Sequence, residues 1–219
     1  MTPQMGLTGF ALLFVGTHFL LSHPLRGRLV RGVGEKVFQA IYSLIAFLTF
    51  GGMIYFYRVI GREPPLWQAG DGLWLVASLL MWLGSILFVG SFVRNPAFPG
   101  AHVERGVKPR GVFAITRHPM MWGFAIWAAV HIAVIGMPKT FVFDGAIILL
   151  ALAGAAGQDA KKARWMGEDW HDWTARTAFI PFTRGIAYPG TVALVGGTIL
   201  FFAATWVHPV LAGFWRWIG

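Results

Sequence analysis

Six apolar runs, each near the length that a helix needs to cross a bilayer, partition this 219-residue chain. They cover residues 4–22, 37–57, 73–93, 119–136, 140–157 and 191–214, against the roughly 20 mostly apolar residues that a spanning helix takes. Inside hydrocarbon every backbone N–H and C=O must bond within its own segment, so runs of this kind become helices. The expected fold is all-α: a polytopic membrane helix bundle with six transmembrane helices. Spans and short connections consume residues 1–219, which reads as a single transmembrane domain. Charged residues make up only 12% of the chain, where a soluble domain carries about 25%. Met1 to Gly9 holds no Lys or Arg, which argues against a cleaved signal peptide and for a retained first helix. The fourth and fifth runs are parted only by Gly136-Met137-Pro138-Lys139 and are expected to form an antiparallel hairpin. Gly6, Gly9, Gly16, Gly84, Gly154, Gly157 and Gly196-Gly197 are expected to let spans approach closely.

The charge distribution orients the bundle. Fourteen of the 18 Lys and Arg lie in the first, third and fifth loops, and Arg58, Arg62, Lys139 and Arg216 lie on the other side. By the positive-inside rule the three basic loops are cytoplasmic and both termini lie outside. The formal charge of +9 thus serves topology. No basic face with interleaved aromatics is present, which excludes a nucleic-acid partner; membrane lipids are the expected surroundings. Trp67, Trp74, Trp215 and Trp217 fall near the expected outer boundary, as interfacial aromatics do. The absence of cysteine excludes disulfides, iron–sulfur clusters, thiolate haem ligation and a cysteine nucleophile.

An ionisable side chain within a span is costly and normally faces the bundle interior. Two histidines meet that description. His131 sits in the run Trp122 to Gly136, sharing a helical face with Phe124, Trp127 and Val134. His18 lies late in the first run, ~7 Å deeper than His23 at the helical rise. Two imidazoles in one bundle can hold a metal cofactor, although a histidine bonded to a neighbouring helix is an equally ordinary reading of His18. Aromatic and branched neighbours around His131 suit the face of a porphyrin and equally a packed helix interface. His23, beside Pro24, reads as a solvated helix-terminal residue. His131 stands ~21 Å along an ideal helix from Arg117, whereas His18 stands ~7 Å from its own interface, so a group held by both needs either an oblique seat or a fourth helix that begins outside the bilayer. Both rings are expected to point into one cavity, lined by Trp127 and opening toward the cytoplasmic loops.

Two further segments carry polar chemistry. In Arg117-His118-Pro119 the proline suits the first helical turn, which sets Arg117 and His118 at the cytoplasmic mouth. There they can anchor a phospholipid headgroup or serve a site. In Gln158-Asp159-Ala160-Lys161 to Pro181-Phe182 the charges alternate and Trp170 and Trp173 recur, as in an amphipathic helix lying on the membrane. Asp159 follows a glycine-rich run, at the place of an acid at the mouth of a cavity. His118 and Asp159 are the candidate catalytic pair. No nucleotide-binding glycine loop, nucleophile elbow or HExxH zinc motif is present.

Taken together these residues resemble the NnrU family of bacterial membrane proteins. The resemblance runs through His18 with Pro24-Leu25-Arg26, Gly34-Glu35, Tyr42-Ser43-Leu44 and Arg58. It continues through Arg117-His118-Pro119, Trp122-Gly123, Trp127, His131 and Gly136, and closes with Asp159, Gly167, Trp170, Thr177 and Pro181-Phe182. It implies a multi-pass protein of the bacterial inner (cytoplasmic) membrane, and the family's name associates it with nitrite and nitric oxide metabolism (denitrification). Two related families sharpen the expectation. The zeta-carotene isomerases resemble NnrU proteins and are haem b enzymes, whose two axial histidines map onto His18 and His131. Trp127 and Arg117 would then help to bind the cofactor, in isomerisation or redox chemistry on a small or lipophilic substrate. Ala128 stands where the isomerase has a cysteine, so a cysteine ligand is not carried over. The isoprenylcysteine carboxyl methyltransferases share an Arg-His-Pro segment and a later Gly–aromatic–Pro motif, similar to Arg117-His118-Pro119 and Gly167 to Pro181. That similarity implies S-adenosylmethionine as the alternative cofactor, with Asp159 standing where the family has paired glutamates. A non-enzymatic assembly factor or tetrapyrrole or lipid carrier is the third reading.

Overall fold

The computed structural model describes residues 2–96, 98, 101–208 and 210–218. Among them the chain is all-helical: α1 (Pro3–Ser22), α2 (Arg26–Val33), α3 (Glu35–Ile60), α4 (Asp71–Gly90), α5 (Pro119–Ile135), α6 (Pro138–Met166), α7 (Glu168–Arg176) and α8 (Thr191–Trp206), with 3-10 turns at Gly111–Ala114 and Gly213–Trp217. Four helices, α1, α3, α4 and α6, are long and apolar enough to cross a membrane. The other two expected spans form shorter apolar helices of 17 and 16 residues, α5 and α8. At about 1.5 Å per residue these reach ~25 Å, short of a ~30 Å hydrocarbon core. The run 191–214 overestimates its helix because the residue before a proline is pushed away from helical backbone, and Pro209 follows His208. Helix α6 departs the other way, running nine residues past Gly157 to Met166. A switch from apolar to charged residues marks a change of surroundings, not a helix end; here Gly167, at φ +55°, ends it.

The chain divides into two compact units, Met1–Gln68 with Ile135–Leu150, and Ala69–Val134 with Ala151–Gly219. In the first, α1 opens behind Thr2, whose Oγ1 accepts the Met5 N–H at 3.3 Å, with Pro3 in the first turn, where no intrahelical donor is lost. Glycines let α1 and α3 meet: the Phe56 ring lies on Gly6 and the Phe10 ring on Gly52. Those rings are 5.6 Å apart, and Phe14 and Phe50 continue the seam at 5.4 Å. The segment after α3 is tied to the first turn of α6. Leu66 donates to the Gly136 carbonyl at 2.8 Å, and the Lys139 N–H donates to Glu63 Oε2 at 2.8 Å. The Lys139 ammonium donates to the Tyr57 and Gly61 carbonyls and lies 4.1 Å from the Tyr57 ring centroid.

In the second unit α4 packs on α8 and α5 through small residues. A Cβ on Gly197 would sit 2.5 Å from the Ile86 Cα, and one on Gly123 would sit 3.1 Å from the Gly84 carbonyl oxygen. Trp82 Nε1 donates to Thr198 Oγ1 at 2.9 Å across the α4–α8 contact. Trp170 and Trp173 of α7 are 1% and 4% exposed and join Val103, Val112, Phe113, Ile115 and Met166 in one apolar cluster. Their spacing is therefore that of a core-facing stripe, which corrects the expectation of tryptophans lying on a membrane surface. At the edge of α7 the Gly106 N–H donates to Asp172 at 2.9 Å; that bond, with Arg176 and Arg105 nearby, holds the Asp172 carboxyl below the usual carboxylate range. After α8 the chain folds back: Trp215 Nε1 donates to the Phe202 carbonyl at 3.2 Å, and Arg216 reaches Asp71 at 3.2 Å.

Of the glycines expected to serve close approach, Gly6, Gly84, Gly196 and Gly197 do so, whereas Gly9, Gly16 and Gly154 have open space at the Cβ position. That difference yields a paired test. Gly197→Ala meets backbone that cannot swing aside and should destabilise the protein by about 1–3 kcal/mol. Gly9→Ala should be neutral or stabilising by up to about 1 kcal/mol, through helix propensity alone. Melting in detergent separates the two, and equal shifts would contradict the packing described.

Candidate functional site

His18 and His131 are built alike. His18 Nδ1 lies 2.6 Å from the Phe14 carbonyl oxygen, and His131 Nδ1 lies 2.8 Å from the Trp127 carbonyl oxygen. Each bond runs to the residue four positions earlier, along the histidine's own helix. A carbonyl oxygen has no hydrogen to give, so in both rings Nδ1 carries the hydrogen. Nε2 of the neutral ring is then the lone pair, the form in which imidazole binds a metal. A metal-bound histidine commonly has its second nitrogen fixed by a backbone carbonyl in this way, so the two residues fit a ligating role. Both rings are partly buried. His18 packs edge-on against Phe14 at 4.4 Å and Tyr42 at 5.3 Å, while His131 lies 4.3 Å from the Trp127 ring with the planes 38° apart. His18 belongs to the first unit and His131 and Trp127 to the second. His23 follows α1 as an exposed residue, its ring 6.2 Å from Phe19.

Arg117, His118 and Asp159 come together within the second unit. Asp159 Oδ2 accepts from Arg117 Nε at 2.8 Å and from a second guanidinium nitrogen at 2.7 Å, while Oδ1 accepts from His118 Nε2 at 2.9 Å. The triad joins the start of α5 to α6, as expected of a hairpin. It also holds the segment after α7. Arg117 donates to the Thr177 carbonyl at 3.2 Å, and its backbone N–H donates to Ala178 at 2.8 Å. Thr116 Oγ1 and Trp122 Nε1 both donate to the Phe179 carbonyl, at 2.7 and 2.8 Å. The Phe179 ring lies 5.2 Å from the Arg117 guanidinium and 5.3 Å from the His118 ring. The side chains are 14%, 1% and 18% exposed for Arg117, His118 and Asp159. His118 Nδ1 is buried with no hydrogen-bond partner. An aspartate that fixes one imidazole nitrogen and leaves the other unpaired has the form of an oriented base. With Arg117 and Asp159 bonded to each other and Arg117 also to the Thr177 carbonyl, the cluster acts in this state as a latch.

The sequence reading passed over two residues. Asp144, 3% exposed with Oδ1 unpartnered, is the one acid inside any of the six apolar runs, and that isolation was the available signal. His208 lies beyond Trp206, and its ring is 6.2 Å from the His131 ring; no spacing rule links residues so far apart in the chain. Among the described residues no cluster of three or more His, Cys, Asp or Glu is arranged around a metal position.

The latch is testable on stability. Asp159→Asn would leave a mostly buried guanidinium without its counter-charge, at a cost of about 3–5 kcal/mol, and should release the 177–182 segment to rapid amide exchange. Unaltered melting and exchange would show that the three side chains carry no structural load.

Comparison with known proteins follows the same residues. The chain is 30% identical over 191 residues to the chloroplastic 15-cis-zeta-carotene isomerase of Arabidopsis thaliana, covering 83% of this chain and 50% of that protein. It is 31% identical over 158 residues to the chloroplastic 15-cis-zeta-carotene isomerase of Zea mays, covering 68% of this chain and 42% of that one. The chain thus spans half or less of the length of these curated relatives. No solved structure matches it significantly. The family model described as NnrU protein matches residues 6–216, from the glycine seam of α1 through both histidine-bearing helices to the final turn, and the chain belongs to the NnrU family.

Proposed function

We propose that this chain is a haem b-binding membrane protein of the NnrU type that catalyses isomerisation or redox chemistry on a small or lipophilic substrate. The observation that carries the reading is the preset tautomer of His131, with Nδ1–H bonded to the Trp127 carbonyl at 2.8 Å and Nε2 left as a lone pair. His18 repeats the device in the other unit and is the second imidazole that the resemblance nominates. When bound, haem would supply a redox-active iron. The chain's own share is to fix the ligating nitrogen, to stack Trp127 on the imidazole and to present an apolar, water-poor setting. The similarity to the isomerases supports a lipophilic substrate, and the apolar helices support entry from the bilayer. The six-span arrangement in the bacterial inner membrane, with both termini outside, belongs to the same proposal and rests on the loop charges.

The methyltransferase reading draws no support from the latch, where Arg117 and Asp159 are bound to each other and to backbone. No observation favours a carrier over an enzyme.

The test is optical. The purified full chain should show a Soret band that shifts on addition of dithionite, and His131→Ala should deplete the band. A band that persists unchanged in that variant, or a preparation that takes up no haem, contradicts the proposal.

A further inference from the structure

Asp144 has no part in the histidine chemistry, yet the first unit encloses it completely. It lies six residues into α6 (Pro138–Met166), ~9 Å along the axis at the helical rise, and is 3% exposed. Its Oδ1 is buried without a partner, and among the described residues the side chain has no ion pair or hydrogen bond. The charged groups nearest in the chain are committed elsewhere. The Lys139 ammonium donates to the Tyr57 and Gly61 carbonyls, Glu63 accepts from the Lys139 N–H, and Arg58 is exposed. The titratable side chain of α1, His18, packs on Tyr42, which precedes Tyr57 by ~22 Å along α3.

What accompanies Asp144 is a pair of hydroxyls. Thr140 stands one turn earlier, at the i, i+4 spacing that puts two side chains on one helix face, and is fully buried. Its Oγ1 lies 3.4 Å from the Tyr57 hydroxyl. Phe143, beside Asp144, packs 5.2 Å from the Tyr57 ring, and Asp144 is close enough to act electrostatically on the Tyr57 hydroxyl. The Lys139 ammonium lies over the same ring, 4.1 Å from its centroid. From the Gly61–Lys139 end of the unit inward, the order is therefore Lys139, then Tyr57 with Thr140, then Asp144.

An unpaired carboxylate in an apolar interior has lost water without gaining a counter-charge, a cost that the group escapes by binding a proton. A purely structural acid ordinarily spends its oxygens on neighbours, as Asp159 does with Arg117 and His118. Among the described residues no group of three His, Cys, Asp or Glu surrounds Asp144, so the donor set suits a proton and not a metal ion. Ionisable residues that face the interior of a membrane bundle are typical of proton and ion pathways.

We propose that Asp144 is a proton-binding site of the first unit, exchanging its proton with the membrane face at the Gly61–Lys139 end through the Tyr57 and Thr140 hydroxyls. The proton comes from water and returns to it. Each hydroxyl takes one proton as it gives up another, and Asp144 passes between carboxylate and carboxylic acid. The site needs nothing from haem, so it stands or falls apart from the reading above.

Infrared difference spectroscopy of the purified full-length chain tests it, with Asp144→Asn, Tyr57→Phe and Thr140→Val variants. At neutral pH the parent protein should show the carbonyl stretch of a protonated carboxyl that Asp144→Asn lacks. The band should shift in D₂O, decline reversibly as the pH is raised, and ignore added Na⁺. Tyr57→Phe and Thr140→Val should keep the band and slow its deuterium shift severalfold. Dicyclohexylcarbodiimide, an apolar reagent that adds to protonated carboxyls, makes the test independent of any variant's folding: peptide mapping of the parent protein should find the adduct on Asp144. Equal protonated-carboxyl intensity in parent and Asp144→Asn, or an adduct confined to other carboxyls, overturns the site. A band that neither exchanges nor titrates marks a structural acid, and one abolished by Na⁺ at fixed pH marks an alkali-cation site; either overturns the proposal. Exchange at the parent rate in both hydroxyl variants overturns the route, and with it the proposal as stated.

Discussion

A ring nitrogen that faces a backbone carbonyl must carry the hydrogen, and the functional reading of this protein depends on that one constraint. Within an apolar helix a polar side chain cannot rely on water, so it bonds where it can reach. Thr17, Thr49, Ser78, Ser85, Thr198 and Thr205 all donate to the carbonyl four residues earlier. His18 and His131 obey the same rule. For a hydroxyl the bond spends its one hydrogen and leaves only an acceptor, as Thr198 shows in taking the Trp82 Nε1–H. For an imidazole it settles one nitrogen and leaves a lone pair on the other. The same economy leaves a histidine in an apolar helix with one nitrogen preset as a lone pair.

The polar cluster at the start of α5 has a structural role of its own. Arg117, His118 and Asp159 bind one another and the 177–182 segment, closing the open end of the α5–α6 hairpin. Its charges are compensated in place, as buried ions must be. What the cluster retains of chemistry is the orphaned His118 Nδ1, a group enclosed by the segment that the latch secures. Stability and any reactivity of His118 are consequently coupled: motion that uncovers the ring also loosens the latch.

Much of the fold was legible in the sequence, for reasons that can be named. Apolar runs of bilayer length located six helices, because hydrocarbon leaves the backbone no alternative. Their ends were less legible. α6 continues past Gly157 since charge does not stop a helix, and α8 stops at Trp206 ahead of a proline that the apolar run concealed. The tryptophans of α7 misled because indole is at home both at a membrane interface and in a core, and only the packing of Val112 and Phe113 decides between them. At the site, proximity of Arg117, His118 and Asp159 could be guessed from the hairpin. The Nδ1 bonds of His18 and His131 use the carbonyl that helical spacing sets four residues earlier. His208 could not be found this way, since its meeting with His131 depends on how α8 packs in its unit.

The central proposal is that this chain holds a haem iron through histidine Nε2 atoms, His131 foremost. Electron paramagnetic resonance of the oxidised, haem-loaded protein, prepared with histidine enriched in nitrogen-15, addresses it directly. The account predicts a low-spin ferric signal with couplings from two histidine nitrogens, both Nε2. A high-spin signal, or a low-spin one lacking coupling to histidine nitrogen, would contradict it.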